Sequence, residues 1–210
     1  MNKRKVPSFL QLILSFDKSI TNNICTLANK FSVTRSIKEN AKFLEYSCHG
    51  LVWLPAWLIF IWVCWMPSLF QMQVNFFIGL IMDIIFVAVI KSFTRRRRPV
   101  GNKADNLSLG PDKFSFPSGH VSRAFYILYF FTRLYPINKI FVPPLLAWCF
   151  MVSFSRILLR RHHLLDVIVG SLLGILEGIL LSLIWFSESF TFNVIEWITD
   201  EKFEGSEYHI

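Results

Sequence analysis

Apolar residues return every three or four positions along the first stretch of the chain, at Phe9, Ile13, Phe16, Ile20, Ile24 and Leu27, with Asp17, Lys18, Asn22 and Asn23 between them. That period predicts an amphipathic helix with a polar face, lying in a membrane interface rather than crossing it. Residues 29–49 are polar and basic and are expected to form a linker. Residues 51–70 are strongly apolar and uncharged, about the ~20 residues that a helix needs to cross a bilayer. A second apolar block at 74–90 carries one carboxylate, Asp83, which lipid would penalise, so this residue is expected to face other helices. Polar positions dominate 91–119, where Gly, Pro, Asn and Asp mark turns. Three more helices are predicted, at about 120–135 with Pro136 as its stop, at about 140–154 and at about 166–186, before an acidic tail at 187–210 that is expected to be irregular. The pattern describes an all-α integral membrane bundle of about five spans plus the N-terminal interfacial helix. Its regions are a basic segment at 1–50, a membrane domain at 51–186 and the tail.

Composition agrees with that pattern. With 53% hydrophobic residues and a mean hydropathy of +0.46, the chain is too apolar for an ordinary soluble domain. Its 22 Phe and 7 Trp suit helices among acyl chains with rings at the interfaces. Cys25, Cys48, Cys64 and Cys149 are widely spaced with no metal-ligand spacing, which predicts neither a zinc site nor a disulfide framework. No small-residue cleavage pattern follows the first apolar run, so no cleaved signal peptide is expected. The net charge of +8 lies between hydrophobic blocks rather than along one basic-aromatic face. Membrane lipids, not nucleic acid, are therefore the expected acidic partner. Residues 1–50 hold eight Lys/Arg against three acids, and 187–210 hold one Lys against six. With five spans, this bias puts the N-terminus, the 91–119 loop and the 156–165 segment on the cytosolic side.

Three segments then bring cations and imidazoles to that one face: KSFTRRRRP from Lys91, PSGH from Pro117, and SRILLRRHHLLD from Ser155. Lys91 and Arg98 are seven residues apart, nearly two helical turns, and share a face if the second span runs on to Arg98. Arg offers a planar fork to phosphate oxygens and Lys a point charge, which suits a transferring phosphoryl group. Ser118, Gly119 and His120 open the third helix, where free N–H groups and the dipole favour an anion. Ser118 can equally serve as the helix cap. His162 and Asp166 are one turn apart, so the carboxylate can accept a proton from one ring nitrogen and leave the other to attack phosphorus. His163 lacks an acid four residues on and reads as interfacial. His120 is the expected general acid and base.

Lys91-x6-Arg98-Pro99, Pro117-Ser118-Gly119-His120 and Ser155-Arg156-x5-His162-x3-Asp166 resemble the three signature motifs of the type-2 phosphatidate phosphatase, or lipid phosphate phosphatase, superfamily. Within it, LEYSCHGLVW at 44–53, IKSFTRRRRP at 90–99 and DKFSFPSGHVSRA at 112–124 are most similar to the polyisoprenoid, or presqualene, diphosphate phosphatase branch. The resemblance implies hydrolysis of lipid phosphates without metal or other cofactor. It makes His162 the phosphorylated nucleophile and His120 the proton donor, with Lys91, Arg98, Ser118, Gly119 and Arg156 holding phosphate. It also implies an endoplasmic reticulum or nuclear-envelope location. Arg160 stands where many relatives have Gly, and two spans precede the first motif where many have three. Three readings compete with a diphosphate phosphatase. One is a broad phosphatase for phosphatidate, lysophosphatidate or sphingoid-base phosphate. Another is a catalytically silent scaffold, which should lack signature residues, and this chain lacks none. The last is a transporter or channel built on Asp83 and Glu177.

Overall fold

The structure, a computed structural model, describes residues 7–99 and 113–199. Among them the regular secondary structure is helical, apart from one isolated β-bridge. Helix α1 covers Ser8–Ala28, α2 Ser32–Glu39, α3 Ala41–Tyr46, α4 Gly50–Val63 and α5 Pro67–Thr94. Helix α6 covers Gly119–Tyr129 and continues as a π turn over Phe130–Leu134. A 3₁₀ turn at Lys139–Phe141 leads into α7, Val142–Leu158, followed by α8, Leu164–Leu183, and α9, Glu188–Thr199. Pro67–Thr94, Lys139–Leu158 and Leu164–Leu183 are long and apolar enough to cross a membrane, and Gly50–Val63 is a shorter apolar helix.

Helix α6 is the centre of the bundle, packed most closely on α8 and also on α7 and α5. The close approach to α8 comes from Gly170, Gly174 and Gly178, spaced one turn apart. A Cβ at these positions would run into Ser118 O, into Ser122 O and Tyr126 N, and into the Tyr129 ring. Small residues at this spacing let two backbones touch where lipid supplies no hydrophobic drive. On the other flank Tyr126, Phe76, Trp57 and Phe130 form an aromatic cluster, with ring centroids 4.0 Å apart for Trp57 and Phe76 and 4.9 Å for Phe76 and Phe130. Asp83 is fully buried and faces inward as expected, paired with Arg123 at 2.5 Å.

Four expectations are corrected. The 29–49 segment is not a linker. Ile37, Ala41, Leu44 and Cys48 recur at helical intervals and are all buried, three of them in the cluster with Ala124, Cys149 and Val152 that holds α2 and α3 on α7. Residues 51–70 are not one span. The chain breaks at residues 64–66, because Pro67 begins a new helix at its first position and the Gln73 amide donates to Cys64 O at 2.8 Å across the turn. Helix α5 does not reach Arg98, since Arg95 turns left-handed with φ 48° and ends it. The tail from Glu188 to Thr199 is helical, with Thr191 and Ile195 buried, while 200–210 lie outside the described residues. Helix α1 is amphipathic as expected, but its inward stripe is Asp17, Thr21, Cys25 and Ala28, and Phe9, Leu12 and Phe16 are exposed.

If the glycine contacts set the α6–α8 distance, Gly174→Ala costs about 1–3 kcal/mol through overpacking. This appears as a lower thermal midpoint by intrinsic tryptophan fluorescence in detergent. Leu172→Ala, on the outward face of α8, leaves the midpoint within a degree or two.

Candidate active site

The site lies where the C-terminal ends of α5 and α7 meet the N-terminal ends of α6 and α8. Past the left-handed Arg95, the chain pairs with the segment before α6: Arg97 bridges Phe114, and Ser115 N donates to Arg96 O at 2.8 Å. This clasp places the Ser115 carbonyl beside His162. Ser118 N donates to Asp166 O at 3.0 Å, which docks the start of α6 on the start of α8.

His162 sits in the turn between α7 and α8, almost fully buried. Its Nδ1 is 2.6 Å from Ser115 O. A carbonyl can only accept, so Nδ1 carries the proton and Nε2 presents a lone pair. Asp166, the expected orienter, is 3.9 Å from that Nδ1, beyond hydrogen-bond reach. Its oxygens are engaged elsewhere. Oδ1 accepts from Arg96 at 2.6 Å, and Oδ2 accepts from the His163 backbone N–H at 2.8 Å and the His163 ring at 3.3 Å. His163 is therefore not interfacial. It is buried as the N-cap of α8, where the Asp166 carboxylate accepts its backbone N–H. The turn passes through Arg160 at φ 53°, the left-handed conformation that glycine adopts freely. Here a hydrogen bond of 2.9 Å from Arg160 to Asn22 helps hold it.

Burial, and after it the Arg98, Lys91 and Arg156 cations working against Asp166, push the His162 imidazole down to about 3. The ring is thus neutral at any physiological pH. Lys91 is buried on the last turn of α5, and Arg98 is half-buried in the clasp, so the two come from different elements yet reach the same imidazole. Arg156 is 1% exposed on the last turn of α7 and His120 stands in the first turn of α6, each within electrostatic range of His162. Three polar side-chain atoms here are buried without a partner among the described residues: Ser118 Oγ, His120 Nε2 and Arg156 Nη2. Ser118 occupies the N-cap position but makes no side-chain cap bond, so capping does not account for its hydroxyl.

Several contributors carried no clear signal in the sequence. Arg96 is one of four consecutive arginines, and it bridges Asp166 and Asp17 at 2.6 and 2.5 Å. Asp17 also accepts Leu165 N, and Thr21 Oγ1 accepts Leu164 N, both at 3.0 Å. The 17/21/25/28 stripe of α1 was the available hint. Glu45 lies 3.7 Å from Arg156 Nη1, and the His49 ring meets the His120 ring edge-on at 5.6 Å.

The profile of the PAP2 superfamily matches residues 73–189, which hold all three motif segments. The chain belongs to the PAP2 superfamily. The Arabidopsis thaliana protein described as probable lipid phosphate phosphatase beta is 30% identical to this PAP2 chain, over 81% of the chain and 89% of that relative. Aquifex aeolicus LpxE shares the fold with a TM-score of 0.55 at 23% identity, over 76% of this chain and 93% of that one. A transmembrane PAP2 type phosphatidylglycerolphosphate phosphatase from Bacillus subtilis shares it with a TM-score of 0.54 at 22% identity, over 82% and 86%.

Two measurements check this geometry. In ¹⁵N spectra, the His162 signal, identified by its loss in His162→Ala, stays that of a neutral Nδ1–H imidazole as pH falls from 8 to 5; a protonation midpoint near the ordinary ~6.5 would contradict the burial described. Asp17→Asn breaks one side of the Arg96 bridge, which for a buried pair costs about 3–5 kcal/mol of stability, read as a lower thermal midpoint in detergent.

Proposed function

We propose that this PAP2 lipid phosphatase hydrolyses polyisoprenoid diphosphates through a phosphohistidine at His162, without metal. One observation carries the mechanism. A buried, neutral imidazole is pinned through Nδ1 to the Ser115 carbonyl, which leaves the lone pair on Nε2, and the Arg98, Lys91 and Arg156 cations act on the ring. Such a ring is a nucleophile that needs no base to deprotonate it.

In the first step His162 Nε2 bonds to phosphorus as the bridging P–O bond breaks, and the electron pair leaves with the departing oxygen. Lys91, Arg98 and Arg156 bear the negative charge spread over the equatorial oxygens, together with the Ser118 hydroxyl and the Gly119 N–H. His120, as the imidazolium, donates a proton to the leaving oxygen and is left neutral. In the second step His120 takes a proton from water, which attacks phosphorus, and the P–N bond breaks to free inorganic phosphate and restore neutral His162. Asp166 acts through His163 and Arg96, fixing the turn that carries His162.

The preference for polyisoprenoid diphosphates is supported by the likeness of segments 44–53, 90–99 and 112–124 to that branch. The same likeness supports an endoplasmic reticulum or nuclear-envelope address. The test is a substrate panel of farnesyl diphosphate, presqualene diphosphate, phosphatidate, lysophosphatidate and sphingosine phosphate in detergent with EDTA. Diphosphates should lead, turnover should survive chelation, and His162→Ala should lose at least ~10³-fold in kcat while inserting normally. Phosphate trapped by rapid quench should sit on a base-stable, acid-labile histidine. A phosphatidate-led panel would favour the broad phosphatase, and unchanged turnover in His162→Ala would remove the phosphohistidine.

A further inference from the structure

The connection between α3 and α4 forms a fourth wall of the site, from a segment that supplies none of the three motifs. Cys48 Sγ donates to His120 O at 2.9 Å, and Arg123 Nη1 donates to Cys48 O at 2.8 Å, so the segment is tied to α6 within one turn of His120. Gly50 eases this approach, because a Cβ there would stand 3.0–3.3 Å from the Arg123 guanidinium. Two groups on this wall face the machinery. Glu45 approaches Nη1 of Arg156 at 3.7 Å, and the ring of His49 meets the ring of His120 edge-on at 5.6 Å. His49 is half-buried, and its Nδ1 accepts the Leu51 N–H at 3.3 Å. In the neutral ring that bond leaves the proton on Nε2, so His49 carries a hydrogen-bond donor on a ring that packs against His120, whose own Nε2 has no partner among the described residues.

We infer that His49 is a specificity-determining residue that binds the leaving phosphate of a diphosphate substrate. This rests on the diphosphate reading of the same site. When the terminal phosphoryl group moves to His162, the bridging oxygen departs on the inner phosphate, which leaves as a charged monophosphate ester. When a monoester is the substrate, the departing oxygen belongs to an alcohol and takes the single proton of His120. The first leaving group carries further anionic oxygens that need donors next to His120, and His49 is the donor the fold places there. The second carries none, and His49 has nothing to recognise.

The experiment compares farnesyl diphosphate with farnesyl monophosphate in the full-length chain in detergent, for wild type, His49→Ala, His49→Phe and His49→Gln. His49→Ala removes the donor; His49→Phe removes it while keeping a ring against His120; His49→Gln restores an N–H near the same place. The expected result is a fall in kcat/KM for the diphosphate of about tenfold or more in the first two variants, with the monophosphate within about twofold of wild type, and at least partial recovery in the glutamine variant. Equal loss on both substrates, or no loss on either, in His49→Phe overturns the subsite while leaving the diphosphate reading standing. A wild type that hydrolyses the monophosphate but no diphosphate overturns the diphosphate reading and the subsite with it.

Discussion

The Arg96 guanidinium lies between two carboxylates at the N-terminal end of α8, and the position of His162 depends on that knot. Arg96 comes from the clasp, Asp166 from α8 and Asp17 from the interfacial helix, with separations of 2.5 and 2.6 Å and little exposure of any of the three. The start of a helix leaves backbone N–H groups unpaired and carries partial positive charge, so it favours carboxylates. Thr21 takes Leu164 N, Asp17 takes Leu165 N and Asp166 takes His163 N. All four carboxylate oxygens of the knot are thereby engaged on its own side of the turn. None of the four is directed at Arg156, whose guanidinium is approached instead by Glu45, at 3.7 Å.

The α6–α8 glycine contacts supply the second requirement. The side chains of the candidate site come from α5, the clasp, α6, α7 and the turn before α8, and they converge only if α6 approaches α8 at backbone distance. Gly170 lies against the Ser118 carbonyl, so the helix start carrying Ser118, Gly119 and His120 is registered directly on the helix that follows His162. Ser118 N to Asp166 O, at 3.0 Å, closes the same contact with a hydrogen bond. A larger residue at Gly170 would separate His120 from His162, a geometric fault that rigid packing transmits rather than absorbs.

Hydrophobic periodicity revealed the helices that lie in lipid, because there one physical requirement, apolar side chains outward, governs every position. It failed where other requirements acted. Residues 29–49 looked polar on average, yet Ile37, Ala41, Leu44 and Cys48 are enough to bury two short helices, since only their inner stripe must be apolar. The helix end at Arg95 was hidden, because four arginines in a row give no hint of which one turns left-handed. The motif residues were legible as a set, through charge and imidazoles repeated at membrane edges. Their pairing was not. An i, i+4 spacing suggested His162 with Asp166, but a 2.6 Å carbonyl from the clasp takes that place, and the partner belongs to a backbone segment 47 residues away that no local pattern points to.

The unpartnered polar atoms connect the stability of this site to its chemistry. A buried polar atom left without a partner costs about 1–3 kcal/mol, and Ser118 Oγ, His120 Nε2 and Arg156 Nη2 are three such atoms within one cluster among the described residues. Fixed in a water-poor pocket, hydrogen-bond donors interact with phosphate oxygens far more strongly than they would in solvent, and they need no reorganisation when charge develops. The knot around Arg96 and the α6–α8 contact are what hold these atoms in place for the anion proposed to bind there.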